Sequence, residues 1–365
     1  MTASWDNVLI LQNSFLGDTV LTLPLIREVR RHFPIRKLSV LCLPPCAELL
    51  ADYPGIDEII IDDKKNGERG WRGLRCTAAR LNQKNFSLAL TPHKSLRSAL
   101  ILYLAEIPHR VGFRESSGWF LFHQRAVRDS ARHDVERTLS VLRVFGLAPE
   151  DCDRSIELPV TATIQESVDR RLRALGVKDD DSIMGLSPGS VWATKRWSTA
   201  GFAALITMLR RKYDCKVLIF GGASDAAVVD DIQKRSGGVA VSLVGRIGLG
   251  ELAAAIGRCR VLITNDSAPM HIAVARKVPT VAVFCATTPA LGFYPYTNRA
   301  IVVQKNLACR PCGPHGGRRC PLGTEDCIRQ IAPEAVFRAV EKLLGRLESD
   351  VRTIPPSFQP EFMTF

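Results

Sequence analysis

Short apolar runs of strand type alternate with stretches of helical spacing along most of the chain, and the alternation occurs in two separate series. The first series begins with Asn7–Gln12 (NVLILQ). A run that is apolar at nearly every position has no face to offer water, so such strands must be covered on both sides. Strands that alternate with helices in this way build a parallel sheet with helices on both faces. The same reading predicts strands over Leu38–Leu43, Glu58–Ile61 and Leu88–Thr91. Helices are expected over Thr19–His32, Cys46–Tyr53, Trp71–Gln83 and Ser95–Ala105. Pro24 falls early in the first of these helices, where proline is best tolerated.

The second series starts after Pro159, with strands expected at Ile183–Leu186, Lys216–Phe220, Val239–Leu243, Val261–Thr264 and Thr280–Phe284. Helices are expected at Ile164–Leu175, Thr199–Tyr213, Ser224–Arg235, Glu251–Ile256 and Ala268–Ala275. With 365 residues, two doubly wound α/β domains are the natural division. The boundary is expected between Glu150 and Asp180, giving an N-terminal domain 1–170, a C-terminal domain 171–345 and a tail 346–365. Three prolines in TIPPSFQPEF suggest that the tail is loosely held. Two such domains would place a ligand in a cleft between the carboxyl ends of their strands.

No apolar run approaches the roughly 18–20 residues that span a bilayer. The first residues lack a basic patch ahead of an apolar stretch, so no secretory signal is read, and the expected compartment is the cytoplasm. The formal net charge is +12, and it is concentrated: Arg69 to Arg143 holds 14 Lys and Arg against 5 Asp and Glu. That surplus points to an anionic partner, whether nucleic acid, an anionic membrane or a phosphorylated substrate.

Four segments at strand ends could carry chemistry. In Asn13–Thr19 (NSFLGDT), Gly17 permits a tight turn, and Asp18 is either a functional carboxylate or the N-cap of the next helix. Ser187-Pro-Gly-Ser190 is followed by Lys195, and small residues with a lysine at a strand end suit a phosphate. Gly221-Gly222-Ala223-Ser224-Asp225 places an acid where it could bind a ribose hydroxyl or cap a helix. Thr264–His271 (TNDSAPMH) runs from a strand into a helix start, with Pro269 in its first turn. Free N–H groups and the helix dipole there make an anion site fit for a diphosphate.

Taken together, GDTVLTLPLIREVRRHFP, LSPGSVWATKRWS, GGASD, LVGRIGLGELAAAI and NDSAPMHIAVARKVPTVAVF resemble glycosyltransferase family 9, the ADP-heptose:lipopolysaccharide heptosyltransferases. IPHRVGFRE and the late CRPC…CPLG…C look specifically like the heptosyltransferase II branch. The blocks run from about Asn7 to about Leu344 in the family's order. The resemblance implies a GT-B fold, two Rossmann-like domains facing across a cleft, with inversion at the anomeric carbon and no catalytic metal. The N-terminal domain would bind the acceptor and the C-terminal domain the nucleotide sugar. Asp18 would be the general base, Lys195 would bind the donor phosphates and Asp225 the ribose. Asp266, Ser267, Ala268 and His271 would hold the diphosphate. The family has glycine where Ala268 stands, a change that matters only if the site needs a positive φ; it also often has leucine where Pro269 stands. An anionic lipopolysaccharide core would be the acceptor, with Lys94, Arg97, Arg110 and Arg114 as candidates for holding it. Contact with the inner leaflet of the inner membrane would be peripheral, and no nucleic acid partner is expected.

There are eleven cysteines, and an odd total without an export signal favours reduced thiols. Cys309, Cys312, Cys320 and Cys327 form C-x2-C-x7-C-x6-C in a Gly-, Pro- and Arg-rich loop at 307–328. That spacing suits a tetrahedral structural zinc, with paired or free thiols as the alternative. Two further readings share parts of the pattern. A related GT-B transferase or an epimerase could use the same donor site on another nucleotide sugar, but an epimerase would have no use for a basic acceptor face. A zinc-containing basic protein could bind nucleic acid, but the basic stretch carries no aromatic stacking platform.

Overall fold

The computed structural model describes residues 5–64, 70–349 and 358–365. Arg69 at the start of the basic stretch and residues 350–357 of the tail lie outside the described residues. The chain divides into two compact units, Met1–Pro159 and Val160–Phe365.

The first unit is built on six strands: β1 (Trp5–Gln12), β2 (Ile35–Cys42), β3 (Glu58–Ile61), β4 (Leu88–Leu90), β5 (His109–Phe113) and β6 (Gln124–Ala126). All pair in parallel, in the spatial order β3-β2-β1-β4-β5-β6. Val8–Leu11 of β1 are fully buried, as an all-apolar central strand must be. The second unit has seven: β7 (Ile183–Ser187), β8 (Lys216–Ile219), β9 (Val241–Ser242), β10 (Val261–Asn265), β11 (Thr280–Phe284), β12 (Ala300–Gln304) and β13 (Glu361–Thr364). They too are all parallel, in the order β13-β12-β11-β10-β7-β8-β9. Both sheets grow outward from one strand and then return to its other side, so the order reverses between β1 and β4 and again between β7 and β10. At such a point the flanking connections leave on opposite faces and open a crevice at the carboxyl ends of the strands.

Several elements differ from the sequence expectation, each for a local reason. The expected helix Thr19–His32 is two helices, Leu16–Leu21 and Leu23–His32. Pro24 has no N–H to continue the ladder, so the chain breaks at Thr22 and restarts with the proline in the first turn. The unit boundary falls before residue 170. Helix Ala162–Ala174, capped by Thr161, buries Val168 and Leu172 in the second unit, and Ser167 Oγ donates to Glu251 at 2.8 Å. The tail is not loose throughout. Its last residues form β13, which pairs with β12 from Ile301↔Glu361 to Gln304↔Thr364, and Arg346 meets Glu361 at 3.5 Å. Strands β5, β6 and β12 were not anticipated. The first two are short or interrupted by His, Arg and Gln; β12 (AIVVQ) carries the same apolar signal as the strands that were read, and was passed over. Among the described residues no helix is long and apolar enough to cross a membrane.

Candidate active site

In the first unit the chain leaves β1 through Asn13 and Ser14 and enters helix Leu16–Leu21. Phe15 is the N-cap and Asp18 the third helical residue, so the carboxylate is not the cap. Ser14 Oγ donates to Asp18 Oδ2 and fixes its orientation. The Asp18 carbonyl is held by Thr22 Oγ1 at 2.8 Å, and Gln12 Nε2 donates to the same threonine hydroxyl at 2.7 Å. Asp18 is thus a half-buried carboxylate on a braced helix at the carboxyl edge of the sheet.

Positive groups surround this edge. Lys64 Nζ donates to the Asn13 carbonyl at 3.0 Å. His93, just after β4, is lowered to about 4 by burial and by the Lys64 charge, and its Nδ1 meets Ser98 Oγ at 2.8 Å. Lys94 is exposed; its amine is lowered by burial and by Arg128 and Arg137, with Asp134 and Glu115 opposing. Asp134 pairs with Arg128 and lies 3.8 Å from Arg137. Its carboxyl is pushed up to about 6, first by burial; Arg128 and Arg137 oppose that rise, and the neighbouring charge of Asp18 adds to it.

The four acceptor candidates do not share one place. Lys94 and Arg114 follow the carboxyl ends of β4 and β5 and are exposed. Arg97 is committed to Asp62, a carboxylate with no exposed surface, at 2.8 Å. Asn13 and Thr77 bind that same carboxylate, so Arg97 is a strut. Arg110 sits opposite Ala89, which is itself opposite Leu9. That is three rungs, about 10 Å, short of the strand end at Gln12. It donates to the carbonyls of Leu121 at 2.9 Å and Ile107 at 2.6 Å, which takes it away from Asp18. Lys64, Arg128 and Asp134 escaped the sequence reading. Only the rule that ligands gather at strand ends could have found Lys64, and nothing local marks the other two.

In the second unit the expected donor residues do converge on the carboxyl edge around β7 and β10. Lys195 closes the short 3₁₀ turn Ala193–Lys195, and its Nζ lies 2.7 Å from Asp266 Oδ2, both side chains largely buried. Thr287, just past β11, donates to the same oxygen at 2.6 Å. Asp266 is therefore paired with the Lys195 ammonium. Asn265 ties the edge together: Oδ1 accepts from Trp197 N at 3.0 Å and Nδ2 donates to the Pro188 carbonyl at 2.7 Å. Ser267 is the N-cap of helix Ala268–Ala275 without a side-chain cap bond. Ala268 opens that helix, and its φ is not among the positive ones, so alanine fits where a glycine was expected. His271 is buried, and its Nδ1 has no hydrogen-bond partner. Burial lowers it to about 4 (Asp266 opposing and Lys195 adding), so it is a neutral imidazole beside the cation. Asp225 Oδ2 accepts from Gly222 N at 3.0 Å. A Cβ at Gly189 would fall 2.4 Å from that oxygen, so the turn after β7 must be glycine to admit the acid.

The cysteine-rich loop docks on this same edge. Thr194 N donates to the Gly317 carbonyl at 3.1 Å, and Gly317 N returns to Thr194 Oγ1 at 2.8 Å. Gly316, at φ +73, leaves room for Lys195, whose Cγ would lie 3.1 Å from a Cβ there. Arg310 donates to the carbonyls of Phe284, at 3.0 Å, and Thr287. The loop thus buttresses Lys195. Its thiols differ: backbone N–H groups of residues 322–325 lower Cys320, whereas burial and the other three thiols push Cys327 up to about 11. All eleven cysteines are free. As placed, these four do not form a metal-holding group, nor does any other set of three or more His, Cys, Asp or Glu among the described residues.

The model of glycosyltransferase family 9 (heptosyltransferase) matches residues 75–320, about two thirds of the chain. The chain belongs to glycosyltransferase family 9. It is a glycosyl-transferring enzyme, with the two-sheet α/β architecture of GT-B proteins. Lipooligosaccharide heptosyltransferase 2 of Campylobacter jejuni (strain 81116) is 26% identical over 337 residues, 90% of this chain and 96% of that protein. A glycosyl transferase family 9 structure from Veillonella parvula superposes with a TM-score of 0.85 at 26% identity, over 96% of this chain and 99% of that one. The E. coli ADP-heptose lps heptosyltransferase II structure gives a TM-score of 0.75 at 22% identity, over 94% and 100%, and supports the fold.

Proposed function

We propose that this family 9 member is an inverting heptosyltransferase that moves L-glycero-D-manno-heptose from ADP-heptose onto the anionic inner core of lipopolysaccharide. The observation that carries the reading is the presence in one chain of two chemically complementary strand edges, one in each unit. One presents a braced carboxylate among lysines and arginines. The other presents a buried lysine, a neutral histidine and an open helix N-terminus. The relatives' names supply the sugar and the acceptor.

In this reading Asp18 takes the proton of an acceptor hydroxyl as its oxygen attacks the heptose anomeric carbon from the face opposite ADP. The bond from that carbon to the diphosphate oxygen breaks, and its electron pair leaves with ADP. Lys195 and the N–H groups at the start of helix Ala268–Ala275 stabilise the leaving charge, and a neutral His271 can donate to it. Asp225 is at the right edge for a ribose hydroxyl. Lys94 and Arg114 would meet acceptor carboxylates and phosphates. The first unit then serves the acceptor and the second the donor. The enzyme would work in the cytoplasm, in peripheral contact with the inner leaflet of the inner membrane.

The test is transfer from ADP-heptose to a truncated inner-core acceptor. Asp18→Ala should still bind ADP but transfer about 100-fold more slowly or worse, the low end for loss of a general base. A wild-type protein that binds ADP and transfers nothing would show that the sugar or acceptor is wrong.

A further inference from the structure

The first unit carries an apolar surface that the proposed chemistry does not use. The short 3₁₀ turn Trp119–Leu121 lies against helix Leu96–Leu104. Trp119 is 47% and Phe120 59% exposed, and on the helix Leu96 is 42% and Tyr103 49% exposed. Single exposed apolar residues need no explanation, but four on two packed elements form a patch.

The turn displays its rings from a rigid base. Before it, Gly118 is pressed to the helix: a Cβ there would lie 2.4 Å from Ala99 Cβ and 3.3 Å from Leu96 Cδ1. After it, Phe122 is buried with its ring against Gly112, where a Cβ would fall 2.4 Å away. The two glycines pin the ends, so Trp119 and Phe120 point outward because the chain is fixed that way. Cations frame the rings. The Arg125 guanidinium stacks on Trp119 at 5.0 Å, and Arg110 stacks on Tyr103 at 5.4 Å. The nearby acids are turned to other partners. Glu106 meets Asn82 at 3.2 Å, and Glu115 accepts from Arg128 N at 3.1 Å.

The exposed rings correct the expectation that the basic stretch carries no aromatic platform. Aromatic rings with an apolar body, framed by arginines, match the boundary between lipid headgroups and acyl chains. We propose that this patch docks the protein on an anionic lipid bilayer, with Trp119 and Phe120 inserted below the phosphates and Arg125 paired with them. The insertion is independent of the reaction proposed above. It also differs from a purely electrostatic contact, because insertion persists in high salt whereas charge attraction is screened.

The experiment is flotation of the full chain with vesicles of phosphatidylethanolamine and phosphatidylglycerol, at low and high salt, with phosphatidylcholine vesicles as the neutral comparison. Wild type should float with the anionic vesicles and retain part of that binding in high salt. Trp119→Ala/Phe120→Ala should bind at least about tenfold more weakly at both salts, and Arg125→Glu about fivefold or more at low salt only. Unchanged melting temperatures and ADP binding would show that the variants are folded. Equal flotation of wild type and the double variant would overturn the proposal, as would equal binding to neutral vesicles. A lipid-free dimer that the double variant abolishes would also overturn it, because the patch would then belong to a second copy of the chain.

Discussion

Replacing Gly189 with alanine should act almost wholly through Asp225. The new Cβ would lie 2.4 Å from Oδ2, 2.5 Å from Cγ and 2.6 Å from Oδ1 of that residue, distances that no real contact tolerates. On its other side the carboxylate is bounded by Gly221, where a Cβ would already be 3.0 Å from Oδ2. Asp225 must therefore swing outward and give up the Gly222 N–H. Overpacking costs about 1–3 kcal/mol, and the half-buried acid can move, so the stability loss should be about 1–2 kcal/mol. In a unit of this size that lowers the melting temperature by about 2–8 °C. If Asp225 holds the ribose, ADP affinity should also fall about tenfold or more, the range for a lost charge-assisted hydrogen bond. Asp225→Ala alone should weaken ADP similarly. The decisive measurement is the double variant by calorimetry and thermal melting. With the carboxylate gone, Gly189→Ala has nothing to strike and should add almost no further cost. Additive losses in the double variant would refute the argument, because they would place the alanine's cost somewhere other than Asp225.

Two further outcomes separate roles that sequence alone would merge. Arg97→Ala should destabilise the first unit by about 3 kcal/mol, because it strands the fully buried Asp62, whereas Arg114→Ala should leave the melting temperature unchanged and raise only the acceptor KM. Thermal melts and acceptor titrations of both variants check this. Two histidines, His93 and His271, each lowered to about 4 from 6.5 chiefly by burial, weaken the fold as pH falls, while Asp134, raised to about 6, offsets part of that loss below pH 6. Between pH 6.5 and 4 the unfolded chain binds protons that the folded histidines refuse, so the histidine contribution is full above about pH 6.5 and falls toward pH 4. At pH 5 each should cost about 1–2 kcal/mol, and denaturant melts of His271→Gln should show a shallower loss with falling pH. An unchanged slope would mean that His271 is not buried as a neutral ring.

What the sequence could reveal follows from what each residue's position demands of it. Central strands such as β1 and β11 are buried on both faces, so their composition has no freedom and the fold could be read directly. The edge around β7 and β10 was legible for a related reason: a strand end, a helix start and close backbone approach each restrict residue type locally, so Lys195, Asp225 and the Asp266–His271 segment could be picked out as candidates together. The basic residues of the first unit were not. Lysines and arginines are plentiful between residues 70 and 143, and whether one is a strut or a free cation depends on its distant partner. Arg97 answers to Asp62, and Arg110 to the carbonyls of Ile107 and Leu121. The cysteine spacing left zinc and free thiols both open, because spacing along a chain limits separation without fixing direction. In the fold, the same loop spends its Gly316–Gly317 pair against Thr194 and Lys195. Ala268 shows the converse. The residue departs from the expected glycine, yet it opens a helix at an ordinary φ, so the anion site depends on backbone N–H groups that any non-proline residue would supply there.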